Sequence, residues 1–216
     1  MTTPSGVRTI DDAHALRALA HPLRLELLEA LTLHGPLTAT AAADLVDESP
    51  ANCSWHLRQL AKYGLIEEVP GATGRQRPWQ RTSSGMAWHE SSSDPAFAEA
   101  ARALTAVFVD REFGLVKDAM SRPQPEGWGD SVIATQSMGW MTAEEMAAFD
   151  EQVFALLCEY RERVADPDLR PPGSRPVRML ALAVADDHMQ TTPDPVAPER
   201  DGHTDSDDHA EGDDHA

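Results

Sequence analysis

Cysteine is scarce in this chain of 216 residues, which carries only Cys53 and Cys158. Two cysteines so far apart do not make the disulfide framework on which small secreted domains depend. A membrane-spanning helix needs about 20 apolar residues, and no apolar run in the chain approaches that length. The N-terminal MTTPSGVRTIDDA lacks the apolar core of a signal peptide. We therefore expect a cytoplasmic protein with no membrane partner.

Motifs of catalysis are also missing. The chain has no P-loop, no dinucleotide fingerprint, no HExxH and no nucleophile elbow. Its carboxylates are scattered along the sequence rather than clustered. We therefore expect neither an enzyme nor a bound cofactor.

Charge is distributed unevenly, so the net charge of -18 does not by itself exclude nucleic acid. Residues 186–216 carry eleven acidic side chains against one arginine, and residues 86–185 carry sixteen against nine basic ones. Residues 1–85 are nearly neutral, with nine acidic and eight basic side chains. Between Asn52 and Thr82 the balance is locally basic, through Arg58, Lys62, Arg75, Arg77 and Arg81. A phosphate backbone could bind there.

The shifts in composition divide the chain into three parts. Residues 1–85 are expected to form one domain, residues 86–185 a second region, and residues 186–216 a disordered acidic tail that contains histidine.

Helix-start and helix-stop signals are strong in the first part. Asp11 or Asp12 opens a helix that breaks near Pro22, where the next helix begins and runs to Gly35. A short helix follows, with Thr38 or Thr40 as its cap. Next, ESPANCSWHLRQLAKYG predicts a helix with Ser49 as N-cap, Pro50 at the first position and Gly64 at the left-handed C-terminal position. The segments LIEEVP and PWQRTS then predict a hairpin joined by the basic loop GATGRQR.

This order of elements is that of a winged helix-turn-helix. The segments LRALAHPLRLELLEAL, SPANCSWHLRQLAKYGLIEE and GATGRQRPWQ resemble the winged-helix domain of the ArsR family of bacterial transcriptional regulators, over about Asp11 to Thr82. The resemblance implies a dimeric protein that binds double-stranded DNA. The expected fold is mainly α (α+β): this domain, a long dimerisation helix, a small strand-helix-strand unit and the tail.

The helix that begins at Ser49 has two distinct faces at about 100° per residue. Cys53, Leu57 and Leu60 share the face that must pack inward, whereas the opposite face is polar except for Trp55. Such a face suits the major groove, although a merely solvated face is the alternative. His56 lies between the two faces, where both a buried role and a base contact stay open. The candidate DNA-binding residues are Thr40, Ser49, Asn52, Ser54, Trp55, Arg58, Gln59, Lys62, Arg75 and Arg77.

Metal binding has weak support. Cys53 and Cys158 do not form the close cysteine pair used by the metal sensors that many members of the family resemble. The tail offers His203, His209 and His215 among carboxylates, which could bind zinc or nickel, or could be incidental to a solvating tail. No metal site is assigned.

The middle region begins with a long helix from Asp94-Pro95 to about Arg122. We expect the dimer interface, or an intramolecular contact, from Leu16, Leu19, Phe97, Leu104, Phe108 and Leu115. SVIATQSMGWM and PVRMLALAV predict strands on either side of a helix whose capping box is TAEE. Trp128, Met138, Trp140 and Phe149 would then line a pocket for an unknown small-molecule effector, or form plain core.

The expected function is a sequence-specific DNA-binding regulator, a dimeric repressor on a partly palindromic operator. Two alternatives stay open: a winged-helix module that binds proteins, and a metal-responsive regulator that uses the tail.

Overall fold

The structure is a computed structural model that describes residues 6–74, 77–90, 92–128 and 135–185. Its helices are α1 (Ala13–Leu19), α2 (Pro22–His34), α3 (Ala39–Val46), α4 (Pro50–Lys62), α5 (Pro95–Ser121), α6 (Ala143–Cys158) and α7 (Glu162–Ala165), followed by a 3-10 turn at Pro167–Leu169. Its strands are β1 (Val7–Thr9), β2 (Ile66–Glu68), β3 (Trp79–Arg81) and β4 (Gly85–Ala87). Among the described residues, no helix is both long and apolar enough to span a membrane.

Side-chain caps begin α1, α3 and α4 where the sequence predicts them, whereas α2 begins at Pro22 without a side-chain cap. The Asp12 carboxylate accepts from the backbone N–H of His14 and Ala15, and so begins α1. The Thr38 hydroxyl accepts from Ala41 N at 3.2 Å and begins α3, which decides between the two predicted caps. Each cap satisfies backbone donors that the helix itself leaves unpaired.

The core lies where α1, α2, α4 and the first half of α5 meet. Leu16, Leu19 and Leu104 are 0% exposed within a single chain. These three residues therefore make the intramolecular contact that the sequence left open as the alternative, and in this conformation they have no exposed surface for a partner. Phe97 and Phe108 pack against the same core but remain partly exposed, as does Leu115.

Two small sheets complete the domain. Strands β2 and β3 pair antiparallel, with Ile66 opposite Arg81, and confirm the predicted hairpin. The parallel pairing of β1 with β4 was not predicted. Strand β4 lies beyond the predicted hairpin, and its backbone pairing with β1 does not depend on the apolar content of the strand.

The segment after β4 is packed rather than free. The Trp88 indole donates to Thr105 Oγ1 at 3.0 Å and meets the Phe108 ring edge-on, 5.4 Å between centroids. These contacts hold α5 against the winged helix through side chains of both.

Helix α5 is longer than the core that it covers. Its first half is buried against α1, whereas Phe113 and Met120 in the second half are 54% and 51% exposed. The outer half thus presents apolar side chains to solvent.

The region after α5 differs from the prediction. Helix α6 begins with the predicted capping box, in which the Thr142 hydroxyl accepts from Glu145 N at 3.2 Å. Neither residues 135–141 nor residues 176–185 form a strand, so the predicted strand-helix-strand unit is wrong there. Alternating apolar residues do not make a strand without a neighbouring strand to satisfy their backbone groups.

The predicted pocket of Trp128, Met138, Trp140 and Phe149 is also absent from the described residues. Met138 and Trp140 are 74% and 82% exposed, so they are neither a pocket wall nor core. Val132 and Ala134 of the predicted strand, Arg75, and the tail with His203, His209 and His215 lie outside the described residues.

Candidate nucleic-acid interface

Helix α4 presents the two faces that its sequence predicts. Cys53, Leu57 and Leu60 are 0% exposed, which turns the opposite side of the helix to solvent. On that side Trp55, Arg58 and Lys62 are exposed, and Asn52, Ser54 and Gln59 are partly exposed. The exposed side chains combine two positive charges, two amides and one aromatic ring on a single surface, which we call the α4 surface.

Trp55 is 48% exposed, an unusual environment for the largest apolar side chain. Its ring is supported from below by Arg24 of α2, whose guanidinium carbon lies 5.4 Å from the ring centroid. Arg24 in turn donates from Nη1 to the Ala18 carbonyl at 2.5 Å. An exposed tryptophan held by a cation from the neighbouring helix keeps one orientation at low entropic cost.

His56 lies inside the domain, which decides between its two open roles. It is 4% exposed, and its Nδ1 accepts from Arg24 Nε at 3.1 Å. Its ring lies 4.5 Å from that of His21 and meets the Trp55 ring edge-on. Base contact by His56 is therefore excluded in this conformation, and the residue instead supports the α4 surface.

Burial lowers the pKa values of both His21 and His56. Desolvation is the main cause that lowers the pKa of His56, with further lowering by His21 and Arg24. Desolvation also lowers the pKa of His21, followed by the charge of Arg24, while Glu26 opposes the shift. Both imidazoles are thus neutral at pH 7.

One acidic residue at the edge of the α4 surface, Glu48, was not predicted from the sequence. Glu48 Oε2 accepts from Asn52 Nδ2 at 3.0 Å, while the Ser49 hydroxyl caps the helix by accepting from Asn52 N at 3.2 Å. The amide of Asn52 is therefore already engaged in the free protein. The local signal was present, since Glu48 lies four residues before Asn52, just ahead of the N-cap Ser49.

The hairpin of β2 and β3 carries matched charges. Arg77 Nη1 pairs with Glu68 Oε2 at 2.6 Å, with both side chains largely exposed. Gln80 donates to Glu67 Oε1 at 2.9 Å beside it. The hairpin is therefore less basic than the sequence count suggests.

Arg81 does not share an exposed surface with the other basic residues of the segment between Asn52 and Thr82. It is partly buried, and its Nη1 donates to Thr32 Oγ1 of α2 at 2.7 Å. The expectation that Arg81 adds to the charge available to a phosphate backbone is therefore wrong. Alternate side chains of a strand point to opposite faces, which the count of charges ignores. Thr40 is exposed near the start of α3.

No cluster of three metal-binding side chains exists among the described residues. Cys53 is buried, and desolvation, with a smaller contribution from Glu48, raises the pKa of its thiol. The Cys158 sulfur accepts from Arg161 Nη1 at 3.8 Å, far from Cys53 in sequence. A buried thiol with a raised pKa is a poor metal ligand.

One family model matches the part of the chain that contains α2, α3 and α4. Residues 19–69 match a family model described as a helix-turn-helix domain. No curated protein matches the chain. Among solved structures, the chain is similar to MepR of Staphylococcus aureus, described as a transcription regulator of the multidrug efflux pump MepA. That match has 16% identity, covers 68% of this chain and 91% of MepR, and gives a TM-score of 0.28.

A second similar structure is RV1404 from Mycobacterium tuberculosis, with 16% identity, 73% of this chain and 86% of that chain covered, and a TM-score of 0.29. Helices α2, α3 and α4 form a helix-turn-helix domain, which β2 and β3 extend to a winged helix.

Proposed function

We propose that this protein is a DNA-binding transcriptional regulator that reads the major groove with α4. The α4 surface carries the proposal: the second helix of a helix-turn-helix presents Trp55, Arg58 and Lys62 outward while its apolar face is fully buried. In DNA-binding proteins with this motif, that helix enters the major groove.

The side chains divide by the chemistry that each can perform. Arg58 suits a bidentate contact with guanine, Asn52 and Gln59 suit adenine, and Trp55 can contact a thymine methyl. Ser54 lies at the margin of the same surface. Lys62, Thr40, Ser49 and the wing residues Arg75 and Arg77 would bind phosphates and fix the register.

A dimeric repressor is the form that the ArsR resemblance implies. Phe97, Phe108 and Leu115 retain exposed surface for a partner, and the apolar outer half of α5 extends it. Two-fold symmetry would place two copies of α4 on half-sites about one helical turn apart, so the operator would be a partial palindrome. Because its target would be DNA, such a regulator would act in the cytoplasm.

The strongest rival is a winged-helix module that binds proteins. Glu48 contacts Asn52 of the α4 surface, and Glu67 and Glu68 lie on the hairpin; a protein partner would tolerate these negative charges better than DNA would. A response to metal ions through His203, His209 and His215 is a second alternative, testable by adding zinc or nickel to a DNA-binding assay with and without residues 186–216.

Selection of bound fragments from the organism's genomic DNA by the purified full-length protein tests the proposal. The expected result is enrichment of a shared partial palindrome that is lost with Arg58→Ala. Fragments with no shared sequence, or equal enrichment by the variant, would favour the protein-binding module instead.

A further inference from the structure

A cavity of about 260 Å³ lies between the winged helix and α5, away from the α4 surface. Leu19, Met86 and Leu104 supply aliphatic walls, Trp88 and Phe108 supply aromatic ones, and Arg81 supplies a guanidinium. The cavity is thus apolar except for one cationic group.

That cationic group is incompletely satisfied by the protein. Arg81 Nη1 donates to Thr32 Oγ1, but the buried Arg81 Nε has no hydrogen-bond partner among the described residues. None of the ion pairs within the described chain involves Arg81. Desolvation lowers the pKa of Arg81 to about 10, so the side chain still carries its charge at pH 7.

A partly buried charge without a counter-ion is unfavourable, and an anion bound beside it would offset that cost. Two other partly buried arginines, Arg111 and Arg178, show the contrast, because each of them pairs with two carboxylates. Arg81 faces an apolar cavity, whereas these two arginines face carboxylates. The charge therefore specifies a negatively charged ligand, and the walls specify an apolar body.

The size and the aromatic walls narrow the class further. A cavity of about 150 Å³ is sufficient to hold benzene, and the present one is below the about 300 to 1,000 Å³ that binds drug-sized ligands. One ring with a carboxylate fits between these limits. Trp88 already donates its indole N–H to Thr105 Oγ1, so what it offers to a ligand is apolar ring surface.

We propose that this cavity binds a small aromatic carboxylate, with the carboxylate on Arg81 and the ring against Trp88 and Phe108. Arg81 ends β3, which forms the wing with β2, while Phe108 belongs to α5. The ligand therefore bridges the wing and the long helix. An effect of the ligand on DNA affinity rests on the proposed function; binding itself does not.

Isothermal titration calorimetry of the full-length protein without DNA tests the site, using benzoate and phenylacetate as probes and benzamide as the uncharged counterpart. We expect saturable binding of at least one carboxylate, and binding of benzamide at least about tenfold weaker, because a buried charge pair is lost. Arg81→Met should weaken carboxylate binding to the same extent. Arg77→Met, which removes an exposed arginine of the same hairpin, should leave it unchanged.

A second measurement uses tryptophan fluorescence, which the carboxylate should change in the parent protein and not in Trp88→Phe. The comparison of benzoate with benzamide needs no variant, so it decides the matter even if Arg81→Met does not fold. The proposal is overturned if neither carboxylate binds at up to about 10 mM, or if benzamide binds equally well. It is also overturned if folded Arg81→Met binds like the parent. Because no DNA is present, none of these results bears on the proposed regulator.

Discussion

Arg24 supports Trp55 across the boundary between two helices, with its guanidinium carbon 5.4 Å from the centroid of the indole ring. The same guanidinium donates to His56 Nδ1 at 3.1 Å, so one side chain of α2 engages two consecutive residues of α4. The orientation of the exposed tryptophan is therefore set by a residue that does not itself lie on the α4 surface.

Arg24→Met is expected to weaken DNA binding without abolishing the fold. The free energy of unfolding should fall by about 1 to 3 kcal/mol, because His56 Nδ1 and the Ala18 carbonyl lose their donor. Urea denaturation and fluorescence anisotropy on operator DNA measure the two effects separately. Arg17→Met, which removes an exposed arginine of α1, is the matched control. Equal losses of DNA affinity in the two variants would show that Arg24 does not position Trp55.

Acid should destabilise the protein through His21 and His56. Both pKa values are lowered from 6.5 in the folded state, so the unfolded chain binds more protons as pH falls below about 6.5. This stability is fully present above that pH and is lost as pH falls through the lowered pKa values. Urea denaturation between about pH 5 and 7.5 should show this decline, and His56→Gln should flatten it. An unchanged slope in the variant would remove His56 from the account.

Glu68→Gln should strengthen DNA binding on all sequences. The change releases Arg77 from its ion pair and removes a negative charge from the wing, with an expected gain of about two- to fivefold because exposed ion pairs are weak. Glu67→Gln removes the same charge one residue away without touching Arg77, and should gain less. Fluorescence anisotropy on scrambled duplex DNA compares the affinities of the two variants. Equal gains in affinity would mean that the ion pair with Glu68 does not limit DNA binding by Arg77.

Glu112→Gln should destabilise the protein through a four-residue ion network. Glu112 is 6% exposed and accepts from Arg111 at 2.5 Å and from Arg178 at 2.6 Å, while both arginines also pair with Glu29 of α2. Loss of the carboxylate leaves partly buried charges less well paired, at a cost of about 1 to 3 kcal/mol. Thermal and urea denaturation measure it. Glu99→Gln, on an exposed position of α5, should change little, and a similar loss there would contradict the role of the network.

The winged helix was predictable because its signals are local. Asp12, Thr38 and Ser49 cap helices by bonding to residues two or three positions ahead, and the period of Cys53, Leu57 and Leu60 defines the buried face of α4. The face therefore followed from the sequence alone, although its role in binding DNA remains a prediction.

What the sequence did not reveal depends on contacts between distant residues. The pairing of β1 with β4 joins segments more than 70 residues apart, and Arg178 meets Glu29 across 149 residues. Arg81 is a single-residue example. Its positive charge is evident from the sequence, but the orientation of its side chain depends on the hydrogen bond to Thr32, which lies 49 residues away. The apolar segments after α5 were predicted as strands from their alternating pattern. That pattern does not show whether another strand is available to pair with them.

The most direct test of the central claim is fluorescence anisotropy on the selected operator and on a scrambled duplex, over a series of salt concentrations. We predict that the parent binds the operator selectively and that its affinity falls steeply with salt. Arg58→Ala should lose about 1 to 3 kcal/mol on the operator and little on the scrambled duplex. Arg102→Ala, which removes an exposed arginine of α5, should match the parent. Equal affinities of the parent and Arg58→Ala for the operator would contradict the assignment of α4 as the helix that reads DNA.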